Sequence, residues 1–118
     1  MGTNRRGSMT AEVRTALDAE LAAARHAPGP DERWRALERA HILSQPWAWP
    51  HTTTHARMLA LAVRLRDRRE ALGQVVRLLV AAPGSLSGRY PVGNTGRSDA
   101  GLTTPMPVPE DLAPILGP

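Results

Sequence analysis

Apolar residues first recur at helical spacing at Val13, Leu17, Leu21 and Ala24. The pattern predicts a helix over about 11–25, with Thr10 as its cap and Glu12 in the first turn, where the backbone dipole favours an acid. Gly29-Pro30-Asp31-Glu32 reads as a second helix start, with proline at the first position and two acids behind it. This helix should run to about Leu43, with Trp34, Leu37 and His41 on one face and Glu38 beside them. The segment Gln45-Pro46-Trp47-Ala48-Trp49-Pro50 breaks the pattern, because proline cannot continue the hydrogen-bond ladder.

A third helix is predicted from Pro50 or Thr52 to about Arg66, turning His51, His55, Met58, Ala62 and Leu65 inward. A fourth is predicted from Asp67, with Glu70 as a capping-box partner and Leu72, Val75, Val76 and Leu79 as its apolar face. Pro83-Gly84 should stop it. The remaining chain is rich in proline and glycine and reads as turns and extended segments. One helical turn is expected over 110–115, and Leu102, Met106, Val108, Leu112 and Ile115 are spaced to pack on the helices.

The fold class is therefore all-α. Four helices with short connections suggest two stacked antiparallel hairpins, either tetratricopeptide-like or as a four-helix bundle. No internal repeat decides between these. The implied organisation is a disordered tail at 1–9, a four-helix domain at 10–82 and a Pro/Gly-rich segment at 83–118 packed on the helices.

Composition narrows the function. At 118 residues and 42% hydrophobic, the chain can bury one core without disulfides or a structural metal. It has no cysteine, which removes thiol nucleophiles, iron–sulfur clusters and Cys-based zinc modules, and fits a cytoplasmic protein. No apolar run reaches the length of a membrane span, and no apolar segment follows Arg5 and Arg6, so neither a membrane anchor nor a secretory signal is expected. The net charge is +4, and all fifteen basic residues are arginine. Aromatic residues are scarce, so the stacking platforms of single-strand binders are hard to build and nucleic-acid binding has a weak basis.

The chemistry gathers around the turn between the second and third helices. Glu38 and His41 are three residues apart, and His51 and His55 are four apart, so each pair shares a helix face. A hairpin would bring His41, His51 and His55 together, with Glu38 beside them and Glu20 at the same level on the first helix. Imidazoles and carboxylates in this number suit zinc, iron, copper or nickel. A structural polar network is the alternative of equal weight. Trp47 and Trp49 could wall a small-ligand pocket or engage a partner. Gly93-Asn94-Thr95-Gly96, between Arg89 and Arg97, could cradle an anion at Asn94, although a tight turn is the stronger reading. No serine lies in a nucleophile-elbow context.

With Glu38-Arg39-Ala40-His41, His51-x-x-x-His55, Arg66-Asp67, Gly73-Gln74, Gly93-Asn94-Thr95-Gly96 and Pro105-Met106-Pro107 in view, the chain resembles a family of short bacterial proteins known only as a domain of unknown function. The resemblance runs from about Ala11 to Leu112. It implies that the histidines and the Gly-Asn-Thr-Gly turn belong to one shared pattern. It brings no activity, substrate or cofactor. In this family a tryptophan commonly follows the second histidine of the pair; Ala56 stands there, which implies a more open pocket.

The leading expectation is thus a helical protein with a transition-metal or polar-ligand site, serving metal handling or metal-assisted chemistry with Glu38 as the proton acceptor. A non-enzymatic adaptor for a protein partner and an arginine-rich nucleic-acid binder are the rivals.

Overall fold

The computed structural model describes residues 8–117, and among them the regular structure is entirely helical. The helices are α1 (Ala11–His26), α2 (Pro30–Ser44), α3 (Ala48–Arg64), α4 (Arg68–Ser87) and the short α5 (Ala113–Leu116). Most of the tail expected at 1–9 lies outside the described residues, but Met9 packs against the core. None of these helices is long and apolar enough to cross a membrane.

Helix α1 packs on α2, and α3 on α4, with a thinner contact between α2 and α3. Thr10 caps α1 as its sequence suggests, its hydroxyl accepting from Val13 N–H at 3.1 Å. One apolar cluster joins Leu17, Ala40, Ile42, Leu43 and Leu112. The other joins Trp34, Leu37, Met58, Leu61 and Ala62. Leu112 is almost wholly buried, so the C-terminal segment contributes to the first cluster from far along the chain. Its helix falls at Ala113–Leu116, slightly beyond the expected turn. Leu102, expected to pack, is 47% exposed.

Four expectations about the helices need correction. Helix α3 starts at Ala48, because Pro50 falls in its first turn, where a missing N–H leaves no ladder bond unmade. At its other end Leu65 does not point inward but is partly exposed. Arg66 takes a left-handed conformation (φ 58°), and the N–H groups of Arg66 and Asp67 close back on the carbonyls of Val63 and Ala62. This Schellman-type ending swings Leu65 away from the core.

Helix α4 departs furthest. Leu72 and Leu79 are 71% and 75% exposed, and Val75 and Val76 nearly half exposed. Its buried face is Glu70, Gln74, Arg77, Ala81 and Ser85. Nor does the helix stop at Pro83; it continues to Ser87 and ends on Gly88 in the left-handed conformation (φ 73°). Pro83 lies on the exposed face, and so does Leu79, whose carbonyl loses its ladder partner there. Water can satisfy that group, which makes the interruption tolerable. The extra turn carries Ser85 into the interior.

Candidate metal centre

His41 lies in the last turn of α2, while His51 and His55 lie in the first half of α3. The three-residue turn between the helices brings them together, and all three are at least 95% buried. Ring centroids are 4.6–4.9 Å apart. His51 Nε2 is 3.0 Å from His41 Nε2 and 3.2 Å from His55 Nε2. Ligand atoms of all three fall within 4.8 Å of one another.

Which nitrogens carry protons follows from their outer partners. His41 Nδ1 faces the backbone carbonyl of Asn94 at 2.7 Å, and a carbonyl only accepts. Gln74 Nε2 donates to a Glu70 carboxylate oxygen and to the Gly96 carbonyl, both at 2.8 Å. That fixes the amide orientation, so Gln74 Oε1 accepts from His55 Nδ1–H at 2.7 Å. Ser85 donates its single hydroxyl proton to the Gln45 carbonyl at 2.5 Å, leaving its oxygen to accept from His51 Nδ1 at 2.8 Å. Each imidazole therefore holds its proton on Nδ1, and three bare Nε2 lone pairs face one another.

Such a cluster is short of a positive charge. The 3.0 and 3.2 Å separations have hydrogen-bond length, yet no proton is available to lie between the nitrogens. Adding one would create a buried imidazolium. Burial, followed by repulsion from His55 and His51, holds His41 well below its ordinary pKa of 6.5. Burial and the neighbouring His55 lower His51 to about 3, against a backbone hydrogen bond to Ala81. Burial lowers His55 to about 4 despite Gln74. A metal ion would resolve the conflict: with bonds of about 2.0–2.1 Å, nitrogens around a tetrahedral ion lie about 3.3 Å apart. Metal-bound histidines ordinarily donate the other ring N–H to a carbonyl or a similar acceptor, as all three do here.

The loop from Gly93 to Ser98 closes the site and explains the Gly-Asn-Thr-Gly pattern. Gly96 (φ 82°) packs on the His41 ring, and a Cβ there would stand 2.6 Å from Cδ2. Asn94 holds the loop by donating from its side chain to the carbonyls of Gly101 and Thr104 while accepting from Gly96 N–H. Its contribution to the site is a backbone carbonyl, and the loop acts as a built turn.

The carboxylates fall elsewhere. Glu38 pairs with Arg97 at 3.0 Å, and Glu20 pairs with Arg39 at 2.7 Å. Burial raises the Glu38 pKa, with Arg97 opposing. Among the described residues the converging group consists of the three histidines. Glu38 reaches His55 only through intermediaries: Arg97, whose Nε lies 3.0 Å from Glu70, then Glu70, then Gln74. The Arg97 guanidinium also lies over the Trp34 ring, 3.8 Å from its centroid. Burial acts to raise the Glu70 pKa, but donors from Gln74, Ser98 and Arg97 hold it below the usual value.

A cavity of about 340 Å³ adjoins the three imidazoles and is also lined by Asn94. Trp47 precedes α3 as its cap residue, and Trp49 is 76% exposed; neither lines this cavity. Gln74, Ser85, Gln45 and Glu70 were missed as parts of the site by motif reading. Their signal was present as Glu70, Gln74, Arg77 and Ser85 at helical spacing, a polar stripe opposite the more conspicuous apolar one.

Fold and site together define an all-helical protein with a buried tri-histidine cluster. The chain belongs to the family described as "Protein of unknown function (DUF3703)", which it matches over residues 11–116. No curated protein and no solved structure matches it.

Proposed function

We propose that this protein binds one divalent transition metal through Nε2 of His41, His51 and His55, and that it serves metal handling or a metal-assisted reaction. The observation that carries this reading is the orientation of the rings: the Asn94 carbonyl, the Gln74 amide oxygen and the Ser85 hydroxyl, whose own proton goes to Gln45, each accept from one Nδ1 and turn three lone pairs onto one point. Neutral imidazole suits zinc, copper, nickel and iron alike. Three protein ligands leave a coordination position for water or a substrate, the arrangement of catalytic rather than closed structural sites. The adjoining cavity gives that position somewhere to face.

In this reading the helices form two antiparallel hairpins, α1 with α2 and α3 with α4. The segment beyond Ser87 is packed on them as the support for His41. Elemental analysis of protein purified without metal-affinity steps tests the proposal, alongside a His41→Ala/His55→Ala variant checked for folding by circular dichroism. About one equivalent of a transition metal in the wild type, absent from the folded variant, is the expected result. Wild-type protein that contains no metal and takes up no zinc, copper, nickel or iron overturns it.

An adaptor function is the second reading. Its support is the outward-facing apolar side of α4 with Leu72 and Leu79, together with the exposed Trp49. It predicts that histidine replacements change stability without changing metal content.

A further inference from the structure

The cavity beside the imidazoles has a charge balance of its own. Among the described residues no aspartate or glutamate lines it, and the charged side chains in its wall are Arg77 and Arg89. Arg77 is only 8% exposed and donates to the Gly73 and Ala100 carbonyls, which hold the guanidinium without neutralising it. The nearby carboxylate of Glu70 is turned instead to Gln74, Ser98 and Arg97. Much of the remaining lining is apolar, with Val80, Ala81, Pro83, Pro91 and Leu102.

Three neutral imidazoles cancel none of the charge of a divalent ion. With the ion bound, the cavity would hold two positive charges from the metal and one from the buried Arg77, with no carboxylate of the described residues among its walls. Charge removed from water has to be compensated by a counter-charge or by strong hydrogen bonds. We infer that the cavity takes an organic anion, a carboxylate with an apolar body, whose head meets the metal and Arg77 and whose body lies along the apolar wall. This inference rests on the metal reading. The apolar wall favours such a molecule over a small, fully hydrated inorganic anion, because burying the body removes apolar surface from water. At about 30 Å³ per water-sized unit, the volume suits a ligand of about ten non-hydrogen atoms.

The test uses zinc-loaded full-length protein, with loading verified by elemental analysis, and calorimetric titration with butanoate, hexanoate and octanoate. Alkylammonium ions and primary alcohols of the same lengths are the controls, and inorganic phosphate is the competitor. Carboxylates should bind at least tenfold more tightly than the other two series. Affinity should rise about three- to fourfold for each methylene that is buried. Leu102→Glu, a change at a partly exposed lining residue, should keep the zinc and lose about tenfold in carboxylate affinity; Arg89→Gln should keep the zinc with a smaller loss.

Zinc-loaded protein that binds the three series equally, or binds phosphate as well as octanoate with no dependence on chain length, overturns this inference and leaves the metal centre standing. Protein that takes up no zinc or other transition metal overturns the metal reading, and this inference with it.

Discussion

Gln74 Oε1 lies 2.7 Å from His55 Nδ1, and it can only accept there because the Gln74 amide group already donates to Glu70 and Gly96. One side chain on α4 thereby decides which nitrogen of a histidine on α3 faces the cluster. Replacing it tests whether ring orientation governs the site. Gln74→Leu should weaken zinc affinity by about 10- to 100-fold, the usual effect of removing an outer partner of a metal ligand. A chelator competition reads this directly; unchanged affinity would mean that the tautomer of His55 is set by something else.

Gly96 leaves room for His41. Its positive φ opposes a side chain, and so does the 2.6 Å that would separate a Cβ at this position from the His41 ring. Gly96→Ala should cost about 1–3 kcal/mol in unfolding free energy through backbone strain and displace the imidazole. Urea denaturation measures the first effect and zinc stoichiometry the second. A variant with wild-type stability and wild-type zinc binding would show that the loop does not brace the histidine.

Glu38 separates a ligand from a neighbour. Its carboxylate is engaged by Arg97 at 3.0 Å, outside the histidine group. Glu38→Gln should therefore retain one equivalent of zinc with less than about a threefold change in affinity. Loss of the metal in a folded Glu38→Gln protein would restore the carboxylate to the ligand set.

Acid should destabilise the metal-free protein. Burial holds His51 and His55 at about 3 and about 4, against an ordinary value of 6.5. In the unfolded chain these rings take up protons as the pH falls through about 6.5, whereas in the folded protein they stay neutral until the lowered values are reached. The contribution of the neutral rings is thus complete above about 6.5 and declines as the pH falls toward 4. Glu70 acts in the same direction at lower pH, since its carboxylate is held below 4.5. Thermal melts of the metal-free protein should fall steadily from pH 7 to pH 4.5. With zinc bound the dependence should steepen, because protons compete for the same nitrogens. A flat profile would mean that the rings are already charged or exposed.

Some of this could be read from residue order, and the reasons for the remainder are physical. Thr10, Pro30 and the positions of α1 and α2 follow from local rules of capping and periodicity. The approach of His41 to His51 and His55 follows from spacing across a short turn. Helix α4 misled because Leu72, Val75, Val76 and Leu79 form the obvious apolar stripe, while the buried side is held by hydrogen bonds among Glu70, Gln74, Arg77 and Ser85 and their partners. Burial there follows satisfied polarity, which a hydrophobic pattern does not register. The positions of Arg97, Ser98 and the Asn94 carbonyl depend on how the irregular C-terminal segment returns to the helices. Nothing local at Glu38 announces that Arg97, 59 residues away, will engage it.

The central claim is that three Nε2 atoms, with their protons held on Nδ1, meet one metal ion. The most direct test is a zinc titration of protein carrying ¹⁵N-labelled histidine, followed by long-range ¹H–¹⁵N correlation of the imidazole rings. Before zinc, the rings of His41, His51 and His55 should each report a protonated Nδ1 and a bare Nε2; at one equivalent all three Nε2 signals should shift together, with Nδ1 still protonated and His26 unmoved. Protonated Nε2 atoms in the metal-free protein, or zinc that shifts fewer than three of these rings, would contradict the account.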